Sequence, residues 1–148
     1  MAHSDFPPPS RLAQGLGFAG LLPFVCGALV LAFGTWSDWQ ELAGQGMVAY
    51  GALIASFLGG IHWGLGMQGG PQADQRLAWG VAPSVLAWAA FFIPVGAGLI
   101  VVASVLLACY GVDRRVYPAV GLQAWLGLRL RLTVVAVLSC IVGAWAVW

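Results

Sequence analysis

Residues 77–112 read LAWGVAPSVLAWAAFFIPVGAGLIVVASVLLACYGV and contain no charged side chain. As one continuous α-helix they would extend about 54 Å at about 1.5 Å per residue, whereas one membrane crossing uses roughly 20 residues. The stretch must therefore turn back on itself. Pro94 lacks an amide proton and Gly96 tolerates unusual dihedral angles. We predict a tight helical hairpin with its two arms at 77–93 and 95–111.

The rest of the chain is also strongly apolar. Hydrophobic residues make up 61% of the 148 residues, and charged residues only 7%. This polar content is too small to cover a soluble protein of that size, so lipid must be the solvent for most of the surface. The net charge of +1 gives no reason to expect nucleic acid as a partner. We therefore expect an all-α integral membrane protein.

Charge-free stretches and turn residues predict five transmembrane helices, at about 13–34, 46–67, 77–93, 95–111 and 130–148. In this interpretation residues 1–12 are an extended, Pro-rich cytoplasmic arm, and residues 13–148 are a single transmembrane domain. Residues 116–128 are too short to cross and contain Pro118 and Gly121. We expect them to form an interfacial segment.

The basic residues support this number of crossings. All six are arginines, and five crossings place every one on the same side of the membrane: Arg11, Arg76, Arg114, Arg115, Arg129 and Arg131. The opposite side has only Asp38 and Glu41. By the positive-inside rule, the N-terminus faces the cytoplasm, or the matrix of a mitochondrion, and the C-terminus faces outside.

The second predicted helix has small residues on two faces. At about 100° per residue, one face contains Gly51, Ala55 and Gly59, and a second contains Gly60 and Gly64. Small residues allow helix backbones to approach closely in lipid. We expect these residues to be helix-packing positions, with neighbours on both sides of the helix.

His62 is the ionisable side chain that lies well inside a predicted span, which makes it a candidate functional group. It is a candidate haem ligand, quinone hydrogen-bond partner or proton relay. The alternative is a neutral histidine that is hydrogen-bonded to a neighbouring helix or to the loop with Asp113 and Arg114. The other histidine, His3, lies in the arm. Two axial haem ligands therefore cannot come from His62 alone, and we expect no resident cofactor.

Charged side chains collect where the fourth predicted helix ends and the fifth begins. Asp113 with Arg114, Arg129 and Arg131 forms a candidate polar network with His62. Arg76, Arg115 and Trp125 are candidate contacts for lipid headgroups, because arginines near the membrane surface attract anionic lipids. The alternative is that the arginines serve only to orient the chain.

Catalytic and metal-binding motifs are not found in the sequence. HExxH, GxSxG and phosphate-loop patterns are absent, and no carboxylates pair within a span. The three cysteines show no CxxC or Cys/His clustering. We therefore expect a protein that is not an enzyme, with no catalytic residues and no metal site.

Residues 50–64, YGALIASFLGGIHWG, provide a further clue, together with Pro71, Pro83-Ser84, Trp88, Asp113, Trp125 and Leu128-Arg129. These residues resemble the transmembrane protein 69 family, small multi-pass proteins of proteobacteria and mitochondria that form a domain of unknown function. The resemblance covers roughly 12–148. It departs from the family at 123–126, where a tyrosine would follow the tryptophan. It implies an energy-transducing membrane, here the bacterial inner membrane, and no catalytic residues.

Two functional hypotheses remain open. The first is a non-enzymatic accessory or assembly subunit of a respiratory or photosynthetic membrane complex, with lipids and other integral membrane subunits as partners. The second is a small-molecule handler that uses His62 and the arginine cluster to bind a quinone, a haem or a lipid, or to transport a small solute. Transport is the weaker form, because the chain shows no internal repeat.

Overall fold

The computed structural model describes residues 6–35 and 37–148. Within these residues the chain is helical and contains no strand, which confirms the predicted all-α membrane bundle. We label the α-helices α1 to α6, with these bounds: Arg11–Ala19, Leu22–Phe33, Ser37–Met67, Ala73–Ala89, Val95–Val116 and Leu126–Ala146. Three short 3₁₀ turns connect them, at Ala90–Phe92, Pro118–Val120 and Gln123–Trp125.

The first predicted span, 13–34, is divided into α1 and α2. Its start at Arg11 is defined by Ser10, whose side chain accepts a hydrogen bond of 3.1 Å from the amide of Ala13. Its interruption follows from Pro23 near the start of α2, because proline has no amide proton to continue the helical hydrogen bonds. Together, Arg11–Phe33 are long and apolar enough to cross a membrane.

Helix α3 is longer than its predicted span of 46–67. It has 31 residues and begins at Ser37. Asp38 and Glu41 end the apolar pattern without ending the helix, and Asp38 in the first turn suits the positive end of the helix dipole. The side chain of Gln40 closes the junction with α2 by donating to the carbonyl groups of Leu31 and Gly34.

The predicted hairpin lies between α4 and α5. Helix α4 with its 3₁₀ extension reaches Phe92, and α5 begins directly after Pro94. Helix α5 continues to Val116 rather than stopping at 111, because basic residues in a last turn interact favourably with the helix dipole. Its final turns therefore contain Asp113.

Four helical segments of the described chain are long and apolar enough to cross a membrane: Arg11–Phe33, Ser37–Met67, Val95–Val116 and Gln123–Ala146. Helix α4, with 17 residues, is shorter than these. The crossing by α4, and the side on which each terminus lies, stay predictions.

The predicted interfacial segment, 116–128, consists of the last residue of α5, two 3₁₀ turns and the first turn of α6, which begins at Leu126 instead of 130. The described part of the N-terminal arm is attached here. The amide of Phe6 donates to the carbonyl of Gly121 at 2.9 Å, and the indole of Trp125 donates to the carbonyl of Pro7 at 3.1 Å. Residues 1–5 of the predicted arm lie outside the described residues.

One end of the bundle contains all six arginines, and we call it the arginine end. His62 near the end of α3 contacts Asp113 near the end of α5, while Gly66 packs against Leu77 in α4. The opposite end contains Asp38 and Glu41 and the turn between α4 and α5. Large buried residues fill the space between the ends, among them Phe24, Leu31, Met47, Leu99 and Val102.

Candidate functional site

Three polar side chains from three helices meet inside the arginine end. His62 comes from α3, Asp113 from the end of α5 and Arg129 from the beginning of α6. Their exposed fractions are 2%, 2% and 9%. Ionisable groups are rarely buried without a partner, so the burial of these three side chains depends on the contacts that they make with one another. We call these three residues the buried triad.

Asp113 is the centre of the buried triad. Its Oδ1 lies 2.8 Å from Nε2 of His62, and its Oδ2 accepts a hydrogen bond of 2.8 Å from Nε of Arg129. A terminal nitrogen of Arg129 also lies 2.7 Å from Oδ2, as an ion pair. That nitrogen does not meet the geometry of a hydrogen bond and has no other partner in the described chain. Two of the three guanidinium nitrogens of Arg129, Nε and Nη2, therefore share one oxygen, while His62 occupies the other.

The carboxylate of Asp113 determines which groups of the buried triad donate and which accept hydrogen bonds. An ionised carboxylate only accepts, so Nε2 of His62 carries the proton and donates to Asp113. In the neutral ring, Nδ1 is then an acceptor, and it is buried without a partner in the described structure. With His62 neutral, the negative charge of Asp113 and the positive charge of Arg129 cancel. This balance is what allows burial, because an unpaired charge there would be strongly destabilising.

Tyr117 lies beside the buried triad, one helical turn after Asp113. It is 3% exposed, and its ring centroid is 6.3 Å from that of His62. Burial, with a further contribution from the charge of Asp113, raises the pKa of Tyr117 to about 12, although Arg129 opposes the shift. Tyr117 therefore keeps its hydroxyl proton at neutral pH, as a hydrogen-bonding group next to Arg129.

The remaining candidates for the polar network lie elsewhere. Arg114 and Arg131 are exposed, and neither takes part in the buried triad. The structure thus brings together three of the five candidates, His62, Asp113 and Arg129.

The three candidate headgroup contacts differ in their surroundings. Arg115 is exposed, whereas Arg76 is partly buried with its Nε lacking a hydrogen-bond partner among the described residues. The indole nitrogen of Trp125 is engaged by the arm through Pro7.

The two small-residue faces of α3 have different environments. Gly51, Ala55 and Gly59 are buried within the bundle. A Cβ atom added to Gly59 would overlap the carbonyl group of Gly80, so α3 and α4 meet backbone against backbone. Gly60 and Gly64 instead face outward, and a Cβ atom at either would meet nothing within 4 Å. Packing at these two positions therefore needs a partner from outside the described chain.

A cleft of about 390 Å³ lies next to the buried triad, between α1, α3 and α6. Arg129, Tyr117 and Thr133 contribute its polar groups. Its other walls are mostly apolar, including Leu16, Ile54, Phe57, Ile61, Leu128 and Leu132. The sequence-based candidates omitted both this cleft and Tyr117, although the spacing of Tyr117 four residues after Asp113 places both on one helix face.

In the part of the chain that the structure describes, no group of three or more His, Cys, Asp or Glu side chains is placed to hold a metal ion. The described cysteines are free thiols: Cys109 and Cys140 are buried and Cys26 is exposed. The chemistry that the buried triad itself offers is charge pairing, hydrogen bonding and proton exchange between His62 and Asp113.

Comparison with known proteins places the chain in a family. Residues 9–145 match the family model described as "Protein of unknown function (DUF3429)". The chain belongs to this family. It is also 35% identical over 147 residues to transmembrane protein 69 of Xenopus tropicalis, an alignment that covers 95% of the chain. The predicted membership of the transmembrane protein 69 family is confirmed.

The DUF3429 match adds a family, and the relative named transmembrane protein 69 supports a membrane setting, but neither assigns an activity. The chain spans 55% of the length of the Xenopus relative. No solved structure matches the chain.

Proposed function

We propose that this protein is a non-enzymatic accessory or assembly subunit of a larger respiratory or photosynthetic complex in the bacterial inner membrane. The observation that carries the proposal is the outward small-residue face of α3, made of Ala52, Ser56, Gly60 and Gly64. We call it the outer face of α3. It is the kind of surface on which another transmembrane helix packs closely.

Glycine is a costly choice on this face. In a helix interior each glycine is about 0.8–1 kcal/mol less favourable than alanine. At Gly59 that cost is offset by the close approach of Gly80. At Gly60 and Gly64 no contact within the described chain offsets it. A helix from another subunit, packed against the outer face, would do so.

The surface beside these glycines is also concave. Ala52 and Ser56 of α3, with Ser84, Val85 and Trp88 of α4, line a groove of about 540 Å³. The groove continues the outer face along α3, and Trp88 is 60% exposed. A small-residue seam next to a groove with an exposed tryptophan fits a helical partner, because tryptophan is enriched at protein interfaces.

The buried triad fits a structural role in such a subunit. It connects α3, α5 and α6 at the arginine end and thereby holds α3 in a defined rotation. That rotation determines which residues the outer face presents.

The proposal is tested by solubilising native membranes in a mild detergent and measuring the size of the assembly that contains the protein. Gly60→Leu and Gly64→Leu add bulk to the outer face. Gly111→Leu is the matched control, since Gly111 is an exposed helical glycine with nothing within 4 Å of an added Cβ atom. We expect the wild type and Gly111→Leu to migrate with a larger complex, and the two outer-face variants to migrate alone. A wild-type protein that migrates as a free monomer would contradict the proposal.

A second candidate function, the binding of a small apolar molecule, is favoured by the cleft beside Arg129. Among the hypotheses of this class, haem fits least well. Nε2 of His62 is engaged by Asp113, the side chain is 2% exposed, and the second histidine, His3, lies outside the described residues. A purified protein without a Soret band is the expected result. A quinone or a lipid needs only a hydrogen-bond donor and an apolar channel.

A further inference from the structure

We infer that the cleft between α1, α3 and α6 binds a membrane-soluble molecule with an apolar tail and an uncharged carbonyl group at its head. This inference deepens the second candidate function, and it does not depend on the proposed role as a subunit. It is carried by three features of the cleft: its apolar walls, a terminal nitrogen of Arg129 that is ion-paired with Asp113 but makes no hydrogen bond, and the charge balance of the buried triad.

The walls of the cleft suit a hydrocarbon chain. Its volume of about 390 Å³ lies within the usual range of ligand pockets, roughly 300–1,000 Å³. Leu16 of α1 and Leu21, in the turn between α1 and α2, line it together with Ile54 and Phe57 of α3. Polar groups occur toward the arginine end, where Tyr117 and Arg129 lie. The cleft is therefore amphipathic along its length.

Arg129 provides the donor for the head of the ligand. The side chain lines the cleft and is 11% exposed. The contact of its terminal nitrogen Nη2 with Oδ2 of Asp113, at 2.7 Å, is an ion pair without hydrogen-bond geometry, so Nη2 has N–H protons that make no hydrogen bond in the described protein. A buried donor without an acceptor is unfavourable, so an acceptor atom delivered through the cleft would be stabilised there. Tyr117 and Thr133, which have hydroxyl groups, also line the cleft.

The charges of the buried triad indicate that this acceptor is uncharged. Arg129 is already neutralised by Asp113 at 2.7 Å. A phosphate or carboxylate head would add a second negative charge beside Asp113 in a buried site, and like charges at short range in such a medium repel strongly. A ketone, quinone or ester carbonyl accepts the hydrogen bond without disturbing the balance.

Two membrane components have this chemistry: an isoprenoid quinone and an acylglycerol ester. The test measures the thermal unfolding midpoint of the full chain, purified in an alkyl maltoside detergent that lacks a carbonyl group. The probes are decylubiquinone, monoolein and oleyl phosphate. Oleyl phosphate combines an apolar tail like that of monoolein with an anionic head.

We expect at least one neutral probe to raise the midpoint by about 5 °C at saturation, and oleyl phosphate to have little effect. A shift with decylubiquinone alone identifies a quinone site, and a shift with monoolein identifies an ester lipid. The absence of a shift with both neutral probes would overturn the inference. So would a shift of equal or greater size with oleyl phosphate.

The location of the site is tested with two substitutions on α1. Ala13 lines the cleft, so Ala13→Phe fills it without altering a polar group. Ala19 is exposed on the same helix and does not line the cleft, so Ala19→Phe is the matched control. Ala13→Phe should abolish the ligand-induced shift and Ala19→Phe should retain it. Equal shifts in the two variants would place the ligand elsewhere and overturn the assignment. The subunit proposal is tested by a separate measurement, the assembly size of Gly60→Leu in native membranes. A missing ligand-induced shift would therefore contradict the cleft inference alone.

Discussion

Gly59 of α3 and Gly80 of α4 contact each other through their backbones. A Cβ atom on Gly59 would overlap the carbonyl group of Gly80, and one on Gly80 would lie 3.0 Å from the carbonyl oxygen of Gly59. Because backbone cannot move aside as a flexible side chain can, this crossing requires glycine on both helices. The crossing fixes the position of α4 against the central helix.

The first prediction concerns this crossing. Gly59→Ala should destabilise the protein by about 1–3 kcal/mol, the usual range for overpacking. Gly60→Ala is the matched control, since it is the neighbouring residue and has nothing within 4 Å of its added methyl group. The control should be neutral or stabilising by up to about 1 kcal/mol, through helix propensity. Unfolding in detergent measures both, and equal effects would show that α3 and α4 do not meet at these glycines.

The second prediction concerns the buried triad. Arg129→Gln leaves the carboxylate of Asp113 without its cationic partner in a buried site. We expect a loss of about 3–5 kcal/mol, as for other broken buried ion pairs. Arg114→Gln and Arg131→Gln should each change stability by less than about 0.5 kcal/mol, because both arginines are exposed. Unfolding midpoints of the three variants give the comparison.

A double variant separates pairing from packing. Asp113→Asn combined with Arg129→Gln removes both charges and leaves no unpaired ion. It should therefore cost less than the sum of the two single substitutions. Additive effects would indicate that the two side chains do not depend on each other.

The third prediction concerns pH. Burial raises the pKa of Tyr117 to about 12, above the value of about 10 for an unfolded tyrosine. The unfolded chain therefore loses this proton first, so stability is unaffected below about pH 10 and falls as the pH rises toward 12. The loss attributable to Tyr117 reaches about 2.7 kcal/mol. Tyr117→Phe should flatten this decline and remove the latest tyrosinate signal in an ultraviolet titration. A Tyr117 that ionises near pH 10, as a tyrosine of an unfolded chain does, would contradict its placement beside the buried triad.

The fourth prediction concerns the crossing by α4. Single cysteines at Gly70 and Ile93, in a Cys26→Ser background, report the two ends of this helix to a membrane-impermeant thiol reagent. Five crossings place Gly70 inside and Ile93 outside, so intact cells should be labelled at Ile93 alone. If both positions are labelled in intact cells, or if both are labelled only after permeabilisation, the two ends of α4 lie on the same side. The helix then does not cross the membrane.

Much of the fold follows from the sequence, because charge-free length and proline positions are strong constraints in lipid. The turn at Pro94 is an example. The break at Gly20 and the start of α3 at Ser37 were missed, because Pro23 interrupts a helix, and Asp38 and Glu41 extend one, without moving the apolar stretch that defines a span. A helix can continue past Asp38 into water with no change in its backbone.

The candidate site was predicted less completely. His62 and Asp113 were both candidates, but the sequence does not choose between Arg129 and Arg131. These two residues are about 200° apart around α6, so the one that faces Asp113 depends on the rotation of that helix. The packing of α5 and α2 against α6 sets the rotation. The cleft beside Arg129 depends on the same packing and leaves no local pattern in the sequence.

The outer face of α3 is tested most directly by photocrosslinking in native membranes. A photoreactive amino acid is placed at Ser56 or Gly64 on this face and, as a control, at Gly111 on α5. We predict a discrete protein adduct of defined mass from Ser56 and Gly64, and no such adduct from Gly111. If all three positions yield only lipid adducts, lipid covers the outer face of α3 and the proposed role as a subunit is wrong.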